Sequence, residues 1–515
     1  MKKTIVCTLV FALLLACLIP FGASAEGEPQ PISTAAEFEA MSATGSYYLT
    51  QDIDFGGKTY ENCILASFSG SLDGRGFAIY NFSIKGSGSG LTCGIFATVG
   101  AVADTTVKNL KIGMPDRRIS VNPTVTGGTA NIGVLAGLQG SAEYTLTVES
   151  VTVCADVLLA AAMGYLNVGG FIGKAFNCAI TDCSVNGSLN CGTGAKWLNV
   201  GGLIGVLSSA GGTISGCVNH ADITVFRTNT ARGAGIVGYL DSTTASTIQN
   251  CVNFGAIDLT PDTFTSYRYL INGVMGGIVS NVCTATVNTI SDCMNFGTVT
   301  NRAGGEAQNQ VVVSAGILAW NQKSETVLKN CVNYGGLSVT GTDTGVTDAF
   351  CAQADNAISA SGNLDRTGVL DYVPTTDVTT YGVQNSEPAD GLFHVRFVAT
   401  LDSLAFDAVG FEVVAYWQDA EGALATKTYS VSCKTVYEEI LAKDEAGVPI
   451  AVTASSLGAE YIYALSIVNV PATAEWGNVT FVCRSFAQSG ESVSWGEALV
   501  CSYTAGQFLF CASAQ

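Results

Sequence analysis

The sequence has few basic residues and almost no histidine. It contains 23 lysines and arginines and two histidines against 42 acidic residues, a net charge of −19. Nucleic-acid binding depends on lysine and arginine to neutralise phosphates, so this charge argues against a nucleic-acid partner. It also opposes adhesion to anionic lipid, and we interpret it as a contribution to solubility.

Residues that hold metals or build catalytic sites are equally sparse. His220 and His394 are the two histidines, and the sequence has no Cys-x-x-Cys pair, which argues against zinc. Asp52 and Asp54 lack further acidic ligands at a calcium-loop spacing, so we expect solvated strand carboxylates. There is no Gly-x-Ser-x-Gly motif. The sequence predicts no metal and no cofactor.

Apolar runs long enough to cross a bilayer are also absent. Thr4–Ile19 is apolar, but it is short and ends at Pro20. Lys2 and Lys3 precede it and Ala23-Ser24-Ala25 follows, so we predict a signal peptide (residues 1–25) cleaved after Ala25. The alternative is lipidation at Cys17, within a loose lipobox. We expect a secreted or cell-surface protein without a membrane span, whose mature chain of about 490 residues is long enough for two or more domains.

Proline is nearly missing from the middle of the chain, where Pro261 is the single example between residues 124 and 373. Proline removes a hydrogen bond from a strand ladder and is excluded where strands are paired on both edges. This absence predicts a long stretch of central strands.

A tetrapeptide built around cysteine repeats through this stretch. Its copies are Gly216–Asn219, Asn250–Asn253, Asp292–Asn295 and Asn330–Asn333, with a weaker copy at 181–185. A glycine-rich element recurs with it, and its glycines at 170, 202, 235, 277 and 316 are 32, 33, 42 and 39 residues apart. Such repeats indicate a solenoid with insertions in its loops.

Side-chain alternation within a copy predicts which residues share a face. In the segment 213–219 we expect Ile214, Gly216 and Val218 on one face of a strand and Cys217 on the other. The asparagines that end the tetrapeptides should form a ladder from coil to coil, with Phe254, Phe296 and Tyr334 stacked beside it. We interpret both features as scaffold.

Sixteen cysteines follow the predicted cleavage site. Equivalent residues of parallel strands lie about 4.8 Å apart and point the same way, which is a poor geometry for disulfides. The cysteines at 183, 217, 251, 293 and 331 should therefore form a row of reduced thiols. By contrast, Cys433, Cys483, Cys501 and Cys511 lie outside the repeats and can pair in a pattern that the sequence leaves open.

These motifs resemble a known family. Leu72-Asp73-Gly74-Arg75-Gly76, the Gly-Gly-Leu-Ile-Gly element and the Asn-Cys-Val-Asn copies are similar to GLUG-type repeats of bacterial surface proteins, over about residues 30–350. The resemblance implies a right-handed parallel β-helix, similar in shape to the pectate-lyase fold. It implies no ligand beyond a general role in surface adhesion, and the chain has no recognisable wall anchor.

The domain organisation follows from these changes of pattern. We predict an N-terminal capping segment (26–66), β-helix repeats (67–350), a linker (351–390) and an antiparallel, Ig-like β-sandwich (391–515). The capping segment should contain a helix over Thr34–Met41 and a strand over Ser46–Asp54. The sandwich should contain strands at 393–401, 409–416, 461–468 and 478–485, and a short helix at 436–443.

Candidate catalytic residues do not converge in the sequence. A glycosidase needs two facing carboxyl groups. The aspartates of the repeats are scattered, at Asp156, Asp182, Asp222, Asp241, Asp258, Asp262 and Asp292. Asp182 and Asp292 share the position before cysteine, which favours a turn role. The loop arginines at 227, 232, 268 and 302 are interpreted as solvated, with contact to an acidic sugar as the alternative.

Two functions remain open. The first is a non-catalytic, adhesin-like protein that presents β-helix loops to a glycan or a host or cell-surface protein, through segments such as 226–232, 261–269 and 301–310. The second is a carbohydrate-active β-helix enzyme. We favour the first and assign no catalytic, metal-binding or ligand-binding residue. The oligomeric state stays open.

Overall fold

The chain folds into a parallel β-helix followed by antiparallel sheets. The computed structural model describes residues 28–513 except 160–163, 192–194, 227–228, 261–271, 303–310, 324, 341–344, 368–377, 390–391, 402–405, 420–423, 434–438, 444–448, 455–458, 460, 472–477 and 505–506. The predicted signal peptide and Cys17 lie outside the described residues. No helix within the described part is long and apolar enough to cross a membrane.

Each coil of the β-helix crosses three parallel faces, and its strands pair in register with those of the next coil. Face 1 contains the strands Thr129–Gly133, Gly164–Gly169, Ala195–Gly201, Thr230–Ala234, Asn272–Gly276, Val311–Ala315 and Val346–Asp348. The strand Thr92–Val99 pairs with both face 1 and face 2.

Face 2 follows face 1 along each coil. Its strands are Gln30–Ile32, Ser46–Leu49, Cys63–Phe68, Ser71–Asp73, Thr105–Lys108, Ala136–Gln139, Leu146–Glu149, Ile172–Thr181, Ile204–Ser215, Val237–Ser242, Thr247–Gln249, Val279–Val282, Asn288–Ser291, Leu318–Asn321, Thr326–Lys329, Cys351–Ala354 and Ile358–Ser361.

Face 3 completes the coil. Its strands are Ile53–Glu61, Ala78–Ser89, Lys111–Ile112, Ile119–Gly127, Thr152–Leu159, Ser184–Cys191, Val218–Asn219, Asp222–Phe226, Val252–Asn253, Ile257–Thr260, Met294–Asn295, Val299–Arg302, Val332–Asn333, Leu337–Thr340 and Leu364–Asp365. These pairings confirm the predicted parallel β-helix.

Rows of aliphatic side chains fill the interior. Ile172, Ile204 and Val237 occupy one such row on face 2, and all three are fully buried. A single apolar core extends from Ile32 to Cys331. Each coil therefore buries its apolar side chains against its neighbours, as the repeat pattern predicts.

A short helix, α1 (Ala35–Glu39), packs on the first coils. Thr34 and Glu37 form a capping box, in which Thr34 Oγ1 accepts from the Glu37 N–H at 3.2 Å and Glu37 Oε2 accepts from the Thr34 N–H at 3.1 Å. Phe38 is fully buried in the solenoid core and its ring contacts that of Phe55, with centroids 5.6 Å apart. The predicted helix is present but ends earlier than Met41.

The expected side-chain grouping around Cys217 is wrong. Ile214 and Cys217 both lie in the solenoid core, whereas Val218 belongs to a second apolar cluster outside it. The reason is a left-handed residue before each cysteine, which interrupts the two-residue alternation. These residues are Asp182 (φ 52), Gly216 (φ 64), Asn250 (φ 52), Asp292 (φ 55) and Asn330 (φ 55). Glycine, asparagine and aspartate tolerate this conformation best, which confirms the turn role expected of Asp182 and Asp292.

Parallel pairing continues beyond residue 350. Cys351–Ala354, Ile358–Ser361 and Leu364–Asp365 each pair with the preceding coil, so this part of the expected linker is a further coil. Val378–Ala389 is a strand paired with Leu392–Leu401, rather than a linker. Polar composition obscured the further coil, because the side chains of its strands are half-buried or exposed.

The C-terminal part is an antiparallel module. One sheet contains Val378–Ala389, Leu392–Leu401 and Tyr461–Pro471; another contains Leu424–Cys433, Ala408–Gln418, Asn478–Ser489, Leu499–Thr504 and Gln507–Ser513, with Ser492–Trp495 at the side. All four predicted strands are present. The helix expected at 436–443 is wrong over Glu439–Lys443, a strand that pairs with Pro449–Thr453. A helix this short is unfavourable in isolation, and a paired strand satisfies its backbone.

Candidate functional site

The asparagines that end the repeated tetrapeptides form a buried ladder of hydrogen bonds, which explains why this residue recurs in each coil. The Nδ2 of Asn219 donates to Oδ1 of Asn253 at 2.8 Å, Asn253 donates to Asn295 at 2.8 Å, and Asn295 donates to Asn333 at 2.9 Å. Each amide also donates to the carbonyl two residues further on, as from Asn295 to Gly297 at 2.9 Å. The predicted ladder is confirmed, and it lies inside the solenoid with no exposed surface.

Glycines of the other motifs make room for this ladder. A Cβ at Gly277 would lie 2.4 Å from the Asn295 Cγ and 2.0 Å from the Gly316 carbonyl oxygen. A Cβ at Gly335 would lie 2.7 Å from the Asn295 Nδ2. The glycine-rich element, the cysteine tetrapeptide and the aromatic-glycine pair therefore meet around one buried amide.

The row of thiols is confirmed as well. The cysteines at 183, 217, 251, 293 and 331 are free and fully or almost fully buried. Cys217 Sγ lies 3.3 Å from the Ser215 carbonyl and 3.6 Å from that of Ile180, to which the thiol donates. Burial raises the pKa of the Cys217 and Cys293 thiols. These cysteines act as small apolar core residues.

The aromatic stack lies on the outside of face 3. The ring centroids are 5.0 Å apart for His220 and Phe254, 4.9 Å for Phe254 and Phe296, and 4.7 Å for Phe296 and Tyr334. Burial lowers the pKa of His220 to about 4, so its ring is neutral at pH 7. The predicted stack is confirmed.

The C-terminal module packs against this flank of the solenoid. Val252 and Tyr334 share an apolar cluster with Tyr416, Val482 and Val500 of the module. The hydroxyl groups of Tyr334 and Tyr416 are hydrogen-bonded. The stack is therefore structural, in agreement with its interpretation as scaffold.

A different surface, on the outside of faces 1 and 2, combines polar and aromatic residues. We call it the outer groove. Its first wall is the face 1 row Asn131, Asn167, Asn199 and Arg232, which are paired in register. Its second wall is the face 2 row Leu138, Lys174, Val206 and Tyr239.

The two walls approach each other at the corner between the faces. The Arg232 guanidinium lies over the Tyr239 ring, with Cζ 4.3 Å from the ring centroid. One coil further on, Ser280 Oγ donates across the corner to the Val274 carbonyl at 2.7 Å. Then Val274, Val313 and Trp320 fill the corner with apolar groups. The polar side chains of the first wall thus end at Arg232, whereas the second wall continues with the buried Asn281.

The first wall is a directional chain of side-chain hydrogen bonds. Asn167 Nδ2 donates to Asn131 Oδ1 at 2.8 Å, Asn199 Nδ2 donates to Asn167 Oδ1 at 3.0 Å, and Arg232 Nη1 donates to Asn199 Oδ1 at 3.0 Å. An amide has two donor hydrogens and two acceptor lone pairs. The chain uses part of that capacity, and the three asparagines remain 6–8% exposed.

Two exposed aromatic side chains flank this chain. Tyr165 and Trp197 lie two residues before Asn167 and Asn199 on the same strands, and therefore on the same outward side. They are 38% and 44% exposed, and their rings meet edge to face with centroids 5.4 Å apart. Lys196 Nζ lies 5.6 Å from the centroid of the Tyr165 ring. We call this pair of exposed rings, which lie on neighbouring coils with their planes at 76° to each other, the aromatic platform.

The aspartates considered in the sequence do not line this groove together. Asp156 accepts from Ser188 Oγ at 2.8 Å, Asp222 accepts from the Ala256 N–H at 2.8 Å, and Asp258 pairs with Arg302 at 3.1 Å. Asp182 and Asp292 are turn residues between faces 2 and 3. Asp241 is exposed beyond Tyr239, and Asp262 lies outside the described residues. Asp52 and Asp54 accept hydrogen bonds from Ala78 and Gly56.

The four arginines considered in the sequence also do not line one common site. Arg302 is an exposed partner of Asp258, whereas Arg232 is buried at 6% exposure and lines the outer groove. The expected solvation of Arg232 is therefore wrong, because the loop ends before it and the residue sits within a paired strand. Arg227 and Arg268 lie outside the described residues, as do most of the three expected binding loops.

Asp182 is an unusual carboxyl among the described residues. Burial and the nearby Glu149 raise its pKa from 3.8 to about 6. The position is a turn at which Asn250 and Asn330 stand in later coils. The same place in the fold therefore accepts a neutral amide.

This shift predicts a pH-dependent gain from Asp182→Asn. Because the folded-state pKa is raised, the charged form destabilises the fold, and wild-type stability falls as the pH rises from about 4 through about 6. We expect the variant to match the wild type below pH 4 and to be more stable by about 1 kcal/mol at pH 8, a value reduced by solvent screening. Urea unfolding at both pH values tests this. An equal difference at pH 4 and pH 8 would contradict it.

Comparisons with known proteins support the presence of the repeat, and they show no specific activity. A model of the GLUG motif matches residues 164–190. This segment is a single coil that begins beside Tyr165 and contains the glycine-rich element at 169–173. The chain thus contains a GLUG repeat within a parallel β-helix. No curated protein matches the chain.

One solved structure is similar at a low level. It is the enzymatically active domain of tailspike protein 4 of bacteriophage CBA120, with 10% sequence identity and a TM-score of 0.22. The match covers 87% of this chain and 64% of that domain, which is less than two thirds of its length. A likeness this weak carries no argument about activity. Among the described residues, no group of three or more His, Cys, Asp or Glu side chains is placed to hold a metal ion.

Proposed function

We propose that this protein is an exported, non-catalytic glycan-binding protein that holds a polysaccharide in the outer groove. The observation that carries the proposal is the exposed pair Tyr165 and Trp197 on neighbouring coils. A sugar ring has an apolar face that packs on aromatic rings and a rim of hydroxyl groups that needs donors and acceptors. The aromatic pair and the adjacent amides Asn167 and Asn199 supply both.

The spacing of the coils supports a chain-like ligand. Neighbouring parallel strands are about 4.8 Å apart, close to the length of one sugar unit in a polymer. The groove wall repeats at this spacing from Asn131 to Asn199, so successive sugars meet equivalent amides. A purely structural explanation is that Tyr165 and Trp197 form a stabilising cross-strand pair. That explanation predicts a loss of stability on mutation, without a loss of binding.

Trp197→Ala separates these explanations. We expect at least a tenfold loss of affinity for any polysaccharide that the wild-type chain binds on a glycan array, because the aromatic platform is lost. The melting temperature should change by no more than a few degrees, since the side chain is largely exposed. Isothermal titration calorimetry and thermal unfolding measure the two effects.

Val287→Ala is the matched control, because Val287 is 47% exposed on the same solenoid. It should leave binding unchanged. Unaltered binding by Trp197→Ala would contradict the proposal.

The alternative, a carbohydrate-active β-helix enzyme, predicts release of reducing or unsaturated ends from the bound polymer. The proposed function predicts binding without such products.

A further inference from the structure

Arg232 differs in charge from the residues at the same position on the neighbouring coils. The positions in register with it on other coils are Asn131, Asn167, Asn199, Val274 and Val313, all uncharged. Its exposure is only 6%, yet it forms no ion pair with any described residue. A buried charge without a counter-charge is unfavourable, because its hydration is lost and not replaced.

The hydrogen bonds of Arg232 are also incomplete. Nη1 donates to Asn199 Oδ1, and the guanidinium lies over the Tyr239 ring. Its buried Nε has no partner among the described residues. Asp241 is exposed and forms no ion pair with Arg232. Burial lowers the pKa of the Arg232 guanidinium, and Asp241 is near enough for its charge to oppose that lowering. Arginine binds carboxylates through paired N–H groups, so an arginine with unused donors fits a carboxylate.

Two more cations lie near the groove of this acidic protein. Lys174 stands on the second wall, with Nζ 5.1 Å from the Phe176 ring centroid, and Lys196 lies beside Tyr165. Neither forms an ion pair with a described residue. Arg232 and these two lysines thus place three positive charges around the groove against the one nearby carboxylate of Asp241, although the chain carries a net charge of −19.

From these observations we propose that the outer groove selects acidic polysaccharides and that Arg232 pairs with the carboxylate of a uronic acid unit. This inference rests on the proposed function and specifies its ligand class. The aromatic platform binds the sugar faces, and Arg232 at the end of the amide chain recognises the charge. Lys174 and Lys196 add attraction that salt weakens.

The first test uses the unmodified full chain. Polygalacturonate, alginate and hyaluronan oligosaccharides are compared with the carboxyl-reduced form of each. We expect at least one of the acidic forms to bind at least tenfold more tightly than its reduced form. Equal affinity for each acidic form and its reduced form would overturn the inference, yet leave the proposed function intact if both forms require Trp197. A lack of Trp197-dependent binding to any polysaccharide would instead overturn the proposed function itself.

The second test uses Arg232→Met, with Arg232→Lys and Lys427→Met beside it. Lys427 also lies over a tyrosine ring, that of Tyr429 at 4.9 Å, but in the C-terminal module. Arg232→Met should remove the preference for the acidic form, measured as the ratio of its affinity to that of the reduced form. Arg232→Lys should retain part of the preference, and Lys427→Met all of it. A preference that survives Arg232→Met, or that is lost in Lys427→Met, would overturn the inference.

Discussion

Gly277→Ala should destabilise the solenoid by about 3 kcal/mol, an effect at the upper end of those for overpacked cores. The added Cβ would lie 2.0 Å from the Gly316 carbonyl oxygen and 2.4 Å from the Asn295 Cγ, so both the backbone and the ladder must shift. Backbone atoms held between neighbouring coils have little freedom to move. Urea unfolding followed by circular dichroism measures the change.

Gly336→Ala provides a control with the same chemical change in the next coil of the solenoid. The nearest atom to its added Cβ is the Thr298 Cγ2 at 3.9 Å, an ordinary contact. We expect no loss of stability there, and a gain of a few tenths of a kcal/mol from the reduced freedom of the unfolded chain. Equal effects of Gly277→Ala and Gly336→Ala would show that the ladder is not tightly enclosed.

Asn295→Ala should cost about 3 kcal/mol or more. It removes a donor to Asn333 and Gly297 and an acceptor for Asn253, all within 2.9 Å, and leaves those groups buried without partners. An unsatisfied buried polar group costs about 1–3 kcal/mol, and cooperativity along the ladder adds to this. The measurement is again the urea transition of the solenoid.

Asn122→Ala is the comparison, since this half-buried amide donates one hydrogen bond, to Ser120 Oγ at 2.7 Å. Its loss should cost less than about 1 kcal/mol.

Because Gly277 and Asn295 are in contact, the double variant Gly277→Ala/Asn295→Ala should lose less stability than the sum of the single variants. Strict additivity would contradict the packing described here.

The rows of equivalent side chains inside and outside the solenoid were largely predictable from the sequence. Repeats at matching positions force equivalent side chains onto neighbouring strands, so the Asn253–Asn295 ladder and the Phe254–Phe296 stack follow from periodicity alone. The face on which Val218 lies was not predictable, because it depends on the left-handed turn at Gly216. The packing of the C-terminal module also depends on non-local contacts, such as that between Tyr334 and Tyr416.

The outer groove was missed although the sequence contains a signal for it. Tyr165-Leu-Asn-Val-Gly169 and Trp197-Leu-Asn-Val-Gly201 differ only in the aromatic residue. Two-residue spacing places each aromatic ring on the same side as its asparagine, and parallel pairing brings the copies together. The sequence does not show which side of these strands faces outward, because that depends on how faces 1 and 2 meet. The burial of Arg232 at the corner with Tyr239 depends on the same geometry.

A crystal structure of the full chain bound to an acidic oligosaccharide, selected by the binding comparison, tests the proposed site in the outer groove. We expect sugar rings against Trp197 and Tyr165, hydroxyl groups bonded to Asn167 and Asn199, and a carboxylate at the Arg232 guanidinium. A bound oligosaccharide on another surface of the chain, with the outer groove empty, would contradict it.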